Sequence, residues 1–489
     1  MTSPRDLDQQ LAFGVAWVGG LRLAMQLISW SSTLIVVRLI SPHDYGVAGM
    51  AAVYVTFAAI FVDFGISGAV VVLPELTDED MSHLHSLALM LGALGCVLSL
   101  ALAWPLGIFF REPLLPPVVA VLSSVLLLTG LRTVPRAVMQ RRLEFRNTAM
   151  LEAAKSAAQT VVVLIGAVIG LRYWALIAST VAGSLLATIL ALHFCRIPIG
   201  RLAIRRLEQS FRYARNILIG GLAWKAYSLS DFIVVGRTRG SQALGHYALA
   251  WNVTAIPGEK LTNLLSSVSS SFFASLRHDT AAMRRYFLVL SEGIALLTFA
   301  PLAGIAFVAS DAVLVLWGEQ WSAAILPMRL LAGYAMLQSL TPLLTHVLHA
   351  TGQVAATRRN SVLLLAVLVP AFYVTAVTLG ISAVAMCWLV LYPLVMGKLF
   401  LLVRATLSLS VKEYWRALEP AVLVTATMLL SLALLRVGVT RALGREARLV
   451  LEIAVGIGIG LTTLRVRYWS RLRAAWRVMR TPYAVEASP

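Results

Sequence analysis

The chain has 489 residues, of which 59% are hydrophobic and 13% are charged, and its formal net charge is +18. Soluble domains average about 25% charged residues, so this composition excludes a water-soluble protein of this size and indicates an integral membrane protein. The positive charges flank apolar stretches instead of forming a separate basic domain, which argues against a nucleic-acid-binding protein.

Apolar stretches long enough to cross a bilayer recur along the whole chain. A hydrocarbon core of ~30 Å requires about 20 helical residues. After a polar opening, residues 14–40 form an apolar stretch that is too long for a cleaved signal peptide and predicts a first span. We predict an all-α integral membrane protein with about 14 transmembrane helices. The predicted spans 1 to 14 are approximately residues 14–40, 44–73, 84–110, 116–139, 147–169, 174–195, 213–236, 244–275, 286–309, 325–352, 360–379, 383–403, 418–437 and 447–464.

Lysine and arginine residues orient these spans, because loops rich in them remain on the cytoplasmic side. With a cytoplasmic N-terminus, about 24 of them fall in cytoplasmic segments and about nine in the opposite loops. The basic loop at residues 436–448 is the exception, since it falls outside. The sequence therefore predicts a multi-pass protein of the inner (plasma) membrane with both termini in the cytoplasm.

Two aromatic-containing segments are predicted to lie at the membrane surfaces. Residues 310–324 resemble a small external helix, with Trp317 and Trp321 at the level of the lipid headgroups. Residues 465–480 mix arginines with aromatic residues, which is typical of a basic amphipathic segment on anionic lipid.

An internal repeat relates the first part of the chain to the middle. Six spans separate the similar segments, so an axis along the membrane normal would relate the two copies. We predict two pseudo-symmetric six-helix lobes at residues 1–205 and 206–405, followed by two C-terminal helices and a basic tail at 406–489. The matching segments are Gly19-Gly20-Leu21 with Gly220-Gly221-Leu222, Ile35-Val36-Val37 with Ile233-Val234-Val235, and Tyr45-Gly46 with Gly245-His246-Tyr247.

Charged and polar residues inside the predicted spans are the candidate functional residues. A charge at mid-bilayer costs at least ~2.5–3.5 kcal/mol, so several of them together predict a protein-lined or hydrated cavity. Many recur at steps of three or four residues, which places them on one helix face. The candidate substrate-binding residues are Arg22, Gln26, Arg132, Lys155, Lys225, Asn252 and Lys260. The candidate ion-coupling or charge-balancing residues are Asp63, Glu152, Asp231 and Glu259.

Some of these residues also fit a structural role that involves no substrate. Glu152 and Lys155 are three residues apart and fit a structural pair on one helix, and Arg136 is near a cytoplasmic helix end, where its side chain can reach the headgroups. Arg22 and Lys225 lie deeper and occupy similar places in the two repeats, which favours a ligand-facing role. The three cysteines lack any metal-ligand or paired spacing, so we expect free thiols and no cofactor.

Several motifs resemble those of a known family. The segment from Ile35 to Gly46 resembles that family's "ARLLSPEDFG" signature, that from Gln140 to Arg146 its "LQRELRF" loop, that from Asp231 to Pro257 its "D-x-x-x-x-G-R…LG-x-Y-x-x-A…P" segment, that from Phe272 to Leu276 its "FPALS", and that from Gly318 to Trp321 its external "GxxW". In these motifs the chain is similar to the bacterial polysaccharide-transport flippases of the multidrug/oligosaccharidyl-lipid/polysaccharide exporter superfamily.

The resemblance implies a transporter and not an enzyme. It implies alternating access through a central cationic cavity and export of undecaprenyl-diphosphate-linked oligosaccharide for exopolysaccharide, capsule or O-antigen synthesis. The expected partners are this lipid-linked substrate and membrane lipids, with anionic lipid at the tail, and a polysaccharide polymerase and chain-length machinery are further candidates. Two alternatives stay open: a cation-coupled multidrug exporter of the same superfamily, and a membrane polysaccharide polymerase or ligase.

Overall fold

Every element in the described part of the chain is helical. The computed structural model describes residues 32–63, 65–73, 76–200, 222, 224–276, 279–438 and 443–480, with side chains for all of these except 145, 256–272, 274–275 and 469–480. The elements are α1 Pro42–Asp63, α2 Ile66–Val72, α3 Asp78–Phe110, α4 Leu115–Arg141, α5 Phe145–Val168, α6 Tyr173–Phe194, α7 Ser230–Ser275, α8 Thr280–Leu316, the 3-10 helix η1 Glu319–Ala324, α9 Ile325–Gln338, α10 Thr341–Ala350, α11 Val354–Thr378, α12 Ile381–Thr406, α13 Val411–Gly438 and α14 Arg445–Arg480.

The predicted membrane architecture is confirmed. Within the described residues, eleven helical stretches are long and apolar enough to cross a membrane. They correspond to predicted spans 2 to 6 and 9 to 14. Spans 1 and 7 lie partly outside the described residues, although residues 32–39, at the end of span 1, are helical. The backbone of span 8 is described and is helical as part of α7, but most of its side chains are not described.

Two spans predicted as single helices are broken. Span 2 is divided into α1 and α2 beside Gly65, whose φ of +69° lies in the left-handed region that glycine tolerates. Span 10 is divided into α9 and α10, because Pro342 at the start of α10 lacks the N–H that would continue the helix. The Arg141 side chain caps the end of α2, donating from Nη1 to the carbonyl oxygens of Val70 at 3.1 Å and Leu73 at 2.9 Å.

The predicted external surface helix is wrong in its bounds and in its orientation. Helix α8 continues to Leu316, so only residues 319–324 form the separate 3-10 helix. Trp317 and Trp321 are 4% and 0% exposed, so both indoles pack inside the protein and not at the headgroup level. The positive φ of Gly318 turns the chain sharply between these residues, and this turn is what carries Trp321 inward.

The basic C-terminal segment begins inside a membrane-spanning helix. Helix α14 extends from Arg445 to Arg480, and its residues 445–468 are apolar enough to cross a membrane. The predicted segment at 465–480 therefore continues span 14 as the same helix, and its contact with anionic lipid stays a prediction.

The contacts divide the chain into two compact units. The first comprises the described residues of Met1–Ala248 together with Phe372–Thr378, and the second comprises Leu249–Ala371 with Leu379–Pro489. In the first unit, α3 packs against α4, α5 against α6, and α4 also against α1, α2 and α6. In the second unit, α8 packs against α9, α13 and α14, and α9 packs against α12. The predicted lobe boundaries at 205 and 405 stay a prediction.

Two arginines of the basic loop that broke the charge rule are paired within the second unit. Asp311, near the end of α8, pairs with both Arg436 and Arg448. Arg436 also donates from Nε to Glu452 Oε1 at 2.9 Å, and the Glu452 side chain is fully buried. Because these two arginines are paired with acidic residues, they add little net positive charge to the loop in the folded protein.

Candidate functional site

Two consecutive helices of the first unit bring opposite charges together. Arg132 and Arg136 lie one turn apart on α4, and Glu152 and Lys155 lie three residues apart on α5. The closest contact joins Arg136 Nη2 to Glu152 Oε1 at 2.9 Å. Lys155 interacts electrostatically with Arg132, Arg136 and Glu152. The two helices therefore present a single group of charges.

A fifth charge lies at the break in span 2. Asp63 is the last residue of α1, and its Oδ2 accepts a hydrogen bond from Ser67 Oγ at 3.0 Å. Arg136 interacts electrostatically with the Asp63 carboxylate. The backbone is irregular at the break that follows Asp63, and irregular backbone at membrane depth is tolerated only where it is buried in protein or lines a water-filled cavity.

We refer to Asp63, Arg132, Arg136, Glu152 and Lys155 as the charged cluster.

The charged cluster lies within predicted spans 2, 4 and 5 and is partly exposed. Arg132 precedes the end of α4 by nine residues, or roughly 14 Å, and Lys155 follows the start of α5 by ten residues, or roughly 15 Å. The side chains of Arg136 and Glu152 are 50% and 37% exposed, and the other three members are half-buried. Charges facing acyl chains would cost at least ~2.5–3.5 kcal/mol each. A hydrated surface around these partly exposed charges would avoid that cost, and it stays a prediction.

The pairing within the charged cluster differs from the sequence interpretation. The sequence suggested a structural pair between Glu152 and Lys155, whereas the ion pair of Glu152 is made with Arg136 on the neighbouring helix. Arg136 was also interpreted as a residue that reaches the headgroups and was not counted as a site residue. Its position one turn from Arg132, on the same face of α4, is the signal that places it in the cluster.

Three other candidates are described elsewhere in the chain. Lys225 Nζ lies 4.7 Å from the ring centroid of Trp224, an arrangement that favours a cation–π contact. Asp231 is fully buried, and its Oδ2 accepts a hydrogen bond from the Tyr247 hydroxyl at 2.7 Å. Asn252 is exposed.

The remaining candidates lie outside what the structure describes. Arg22 and Gln26 belong to residues 1–31, and Glu259 and Lys260 belong to the stretch without described side chains. The predicted ligand-facing role of Arg22 and Lys225 therefore stays a prediction, as do the binding and charge-balancing roles of all these candidates.

The cysteines and the acidic residues offer no metal centre in the described part of the chain. Cys96, Cys195 and Cys387 are free thiols, and no described group of three His, Cys, Asp or Glu side chains is arranged to hold a metal ion.

Comparison with known proteins identifies the family. A family model described as "Polysaccharide biosynthesis protein" matches residues 35–326, which is more than half of the chain. The chain belongs to this family. It is 24% identical over 412 residues to the lipopolysaccharide biosynthesis protein WzxC of Escherichia coli (strain K12), and the match covers 82% of each protein.

Solved structures show that the fold is shared with transporters. The lipid II flippase MurJ in an inward closed conformation matches with a TM-score of 0.73 and 9% identity, over 94% of this chain and 100% of MurJ. An inward-facing multidrug resistance MATE family transporter of the MOP superfamily matches with a TM-score of 0.66 and 14% identity, over 79% of this chain and 98% of that transporter. The family resemblance stated from the sequence is confirmed: the chain is a multi-pass membrane transport protein of polysaccharide biosynthesis, not an enzyme.

Proposed function

We propose that this family member is a flippase that moves undecaprenyl-diphosphate-linked oligosaccharide repeat units from the cytoplasmic to the periplasmic leaflet, for exopolysaccharide, capsule or O-antigen synthesis. The observation that carries the proposal is the accessible charged cluster, which holds three cations and two carboxylates deep in the first unit. The similarity to WzxC, a lipopolysaccharide biosynthesis protein, and to MurJ, a lipid II flippase, is consistent with it.

The physical barrier to this transport is the polar headgroup. An oligosaccharide carries on the order of ten hydroxyls, and each costs several kcal/mol when it is stripped of hydrogen-bond partners in hydrocarbon. Spontaneous flipping is therefore negligible. A hydrated cavity supplies the hydrogen-bond partners that the sugars lose when they leave bulk water, while the polyprenyl chain remains in the lipid.

The charged cluster suits the diphosphate that joins sugar to lipid. Arginine binds phosphate oxygens as a bidentate fork and lysine binds them as a point charge. Glu152 holds Arg136 when no phosphate is present, and a diphosphate, with more negative charge, would take the place of that carboxylate. The cluster lies in the half of α4 and α5 nearer their cytoplasmic ends, which fits uptake from the cytoplasmic leaflet in an alternating-access cycle.

A cation-coupled multidrug exporter of the same superfamily is the second candidate. The likeness to a MATE transporter establishes a shared fold and says nothing of the substrate. Excess positive charge in the cluster opposes the binding of cationic drugs, which is why we favour an anionic lipid-linked substrate. Glu152 and Asp63 remain the predicted charge-balancing or ion-coupling groups.

Deletion of the gene tests the proposal. In the cell that carries it, we expect lipid-linked oligosaccharide to accumulate with its sugars facing the cytoplasm and polymer export to stop. The measurement is labelling of the sugars by a membrane-impermeant oxidant, such as periodate, in intact spheroplasts and after lysis. Labelling only after lysis supports the flippase. Full labelling in intact spheroplasts would indicate a block after translocation, as in a polymerase defect, and would refute the proposal.

A further inference from the structure

An open cavity lies at the end of α12 in the second unit, where the chain turns from α12 into α13. Its volume is about 480 Å³. Both apolar and polar side chains line it: Leu401, Arg404, Ala405, Ser408, Leu409 and Ser410. Most of these residues are exposed, so the cavity is accessible from outside the protein. The predicted orientation places this end of α12 on the cytoplasmic side.

The guanidinium group of Arg404 is held in the wall of this cavity. Its Nε donates a hydrogen bond to the Leu409 carbonyl oxygen at 3.2 Å, so the loop after α12 fixes the side chain. The described part of the chain supplies no acidic partner for the two Nη atoms of Arg404. These two atoms can therefore bind an anion as a fork.

A serine occupies the turn that ends α12, where glycine is usual. The N–H of Leu409 donates to the Arg404 carbonyl oxygen at 2.9 Å, and Ser408, inside this turn, has a φ of +48°. Glycine is the common residue at such a helix end, because it adopts the left-handed backbone without strain. Serine instead adds a hydroxyl group to the cavity wall.

The surroundings of the cavity are positively charged. Lys412 is exposed, and its backbone N–H donates to Ser410 Oγ at 3.2 Å, which places Lys412 beside the cavity. The nearby Glu413 carboxylate is paired with Arg284 and also accepts a hydrogen bond from the Ser410 N–H at 3.0 Å. Because this carboxylate is already paired, the charges that act on an anion in the cavity are mainly those of Arg404 and Lys412.

An apolar stripe on α12 leads to the cavity. Its side chains are exposed and share one helix face, which also includes Arg404. A Cβ atom added to Gly397, in the middle of this face, would meet nothing within 4 Å, so the surface has a shallow groove there. Since α12 is long and apolar enough to cross a membrane, this face suits acyl chains. The α12 stripe consists of Met386, Val390, Leu394 and Leu401.

We propose that the cavity binds the phosphate of an anionic glycerophospholipid of the cytoplasmic leaflet, whose acyl chains lie along the α12 stripe. We define the headgroup site as Arg404, Ser408 and Lys412. Arg404 donates to the phosphate through its Nη atoms, Ser408 donates from Oγ, and Lys412 supplies a point charge. Basic pockets between transmembrane helices on the cytoplasmic side are typical sites for anionic headgroups. The inference depends on the predicted orientation and not on the proposed flippase function.

The first test removes the arginine. The full-length protein, stripped of lipid in detergent, is titrated with phosphatidylglycerol or phosphatidylcholine, and bound lipid is counted by native mass spectrometry. We expect one phosphatidylglycerol to bind at least tenfold more tightly than phosphatidylcholine. Arg404→Gln is expected to weaken phosphatidylglycerol binding about fivefold, the contribution of one basic residue near a lipid headgroup, and to leave phosphatidylcholine binding unchanged.

Arg359→Gln is the matched control for this test, because Arg359 is exposed near the cytoplasmic start of α11 in the same unit and does not line the cavity. We expect it to bind phosphatidylglycerol as the unsubstituted protein does. Equal losses in Arg404→Gln and Arg359→Gln would show a diffuse attraction to positive charge and would overturn the headgroup site. Equal affinity of the unsubstituted protein for the two lipids would overturn it as well.

The second test changes the site without disturbing the fold. Ser408→Gly removes the hydroxyl group and keeps the left-handed turn, which glycine adopts without strain. We expect phosphatidylglycerol to bind about threefold more weakly, as for the loss of one hydrogen bond, while the melting temperature of the lipid-free protein does not fall. Unchanged binding by Ser408→Gly would contradict the site as defined.

Competition distinguishes a phospholipid from other sources of phosphate. Glycerol 3-phosphate carries the same phosphate without acyl chains, so we expect a millimolar concentration to displace little of the bound phosphatidylglycerol. Complete displacement would show that the cavity takes a soluble anion and would overturn the assignment to a lipid. Undecaprenyl phosphate that bound there more tightly than phosphatidylglycerol would assign the cavity to a polyprenyl lipid and would also overturn it.

Discussion

Replacing Arg132 and Lys155 together with glutamine is expected to abolish polymer export while the protein still reaches the membrane in normal amounts. The substitutions leave Arg136 with Glu152 and Asp63, so the net charge of the charged cluster changes from positive to negative. Each charge-assisted hydrogen bond to phosphate contributes about 1.5–3 kcal/mol, or roughly one to two orders of magnitude in binding. We therefore expect each single variant to lose at least tenfold and the double variant to lose measurable export.

The measurement is polymer yield per unit of membrane-inserted protein, with the sugar labelling of lipid-linked oligosaccharide as a second readout. Arg146→Gln is the matched control, because Arg146 is exposed near the cytoplasmic start of the same helix α5. Normal export by the double variant would remove Arg132 and Lys155 from the substrate path. Equal losses in Arg146→Gln would indicate a general requirement for positive charge on the cytoplasmic side instead.

The ion pair between Arg136 and Glu152 gives a sharper electrostatic prediction. Arg136→Gln leaves the Glu152 carboxylate beside the phosphate site without its partner, so we expect a larger loss of export than in Arg136→Gln/Glu152→Gln. Partial recovery in the double variant would follow from removal of a repelling charge. A double variant that exports no better than Arg136→Gln alone would show that Glu152 does not act on the substrate through its charge.

The largest expected effect on stability lies in the second unit, at Asp311. This carboxylate is 4% exposed and pairs with Arg436 and Arg448, which are 31% and 23% exposed. Asp311→Asn leaves two partly buried guanidinium groups without their shared partner. Breaking a buried ion pair costs up to about 3–5 kcal/mol, and partial exposure of the arginines reduces this to about 2–3 kcal/mol. We expect a melting temperature lower by roughly 4–10 °C.

Thermal unfolding in detergent measures this effect, and Glu319→Gln provides the control on the same external side. Glu319 and its partner Arg445 are 78% and 56% exposed at 3.2 Å, so their pair contributes little. We expect no more than about 1 °C of change for the control. Equal melting temperatures for both variants would show that the Asp311 network does not hold α13 and α14 to α8.

The span pattern was predictable because the bilayer dictates it. Each span requires about 20 consecutive apolar residues, and this requirement alone located spans 2 to 6 and 9 to 14. The breaks in spans 2 and 10 escaped prediction because the hydropathy averaged over a whole span stays high despite the polar residues beside Gly65 and Pro342, so the average does not show where the backbone direction changes. Trp317 and Trp321 were misplaced because aromatic residues near a loop fit a headgroup belt and a buried contact equally well.

The charged cluster was predictable in part. Helical periodicity placed Glu152 and Lys155 on one polar face, because that argument needs only a single helix, and Arg132 was selected as a charge within predicted span 4. The choice of Arg136 as the partner of Glu152 depends on how α4 and α5 pack, and no pattern within one helix contains that information. The same limit applies to Asp311, whose two arginine partners come from helices more than a hundred residues further along the chain.

Gly46 at the start of α1 and Gly245 in α7 limit how these two helix turns can change. A Cβ atom added to Gly46 would lie 1.7 Å from the carbonyl oxygen of Ser241, and one added to Gly245 would lie 1.8 Å from the carbonyl oxygen of Pro42. A larger side chain is normally accommodated when a facing side chain becomes smaller. Here the obstacle is main chain, and no exchange of side chains can remove it, so both positions are tied to glycine for as long as the two turns stay in contact.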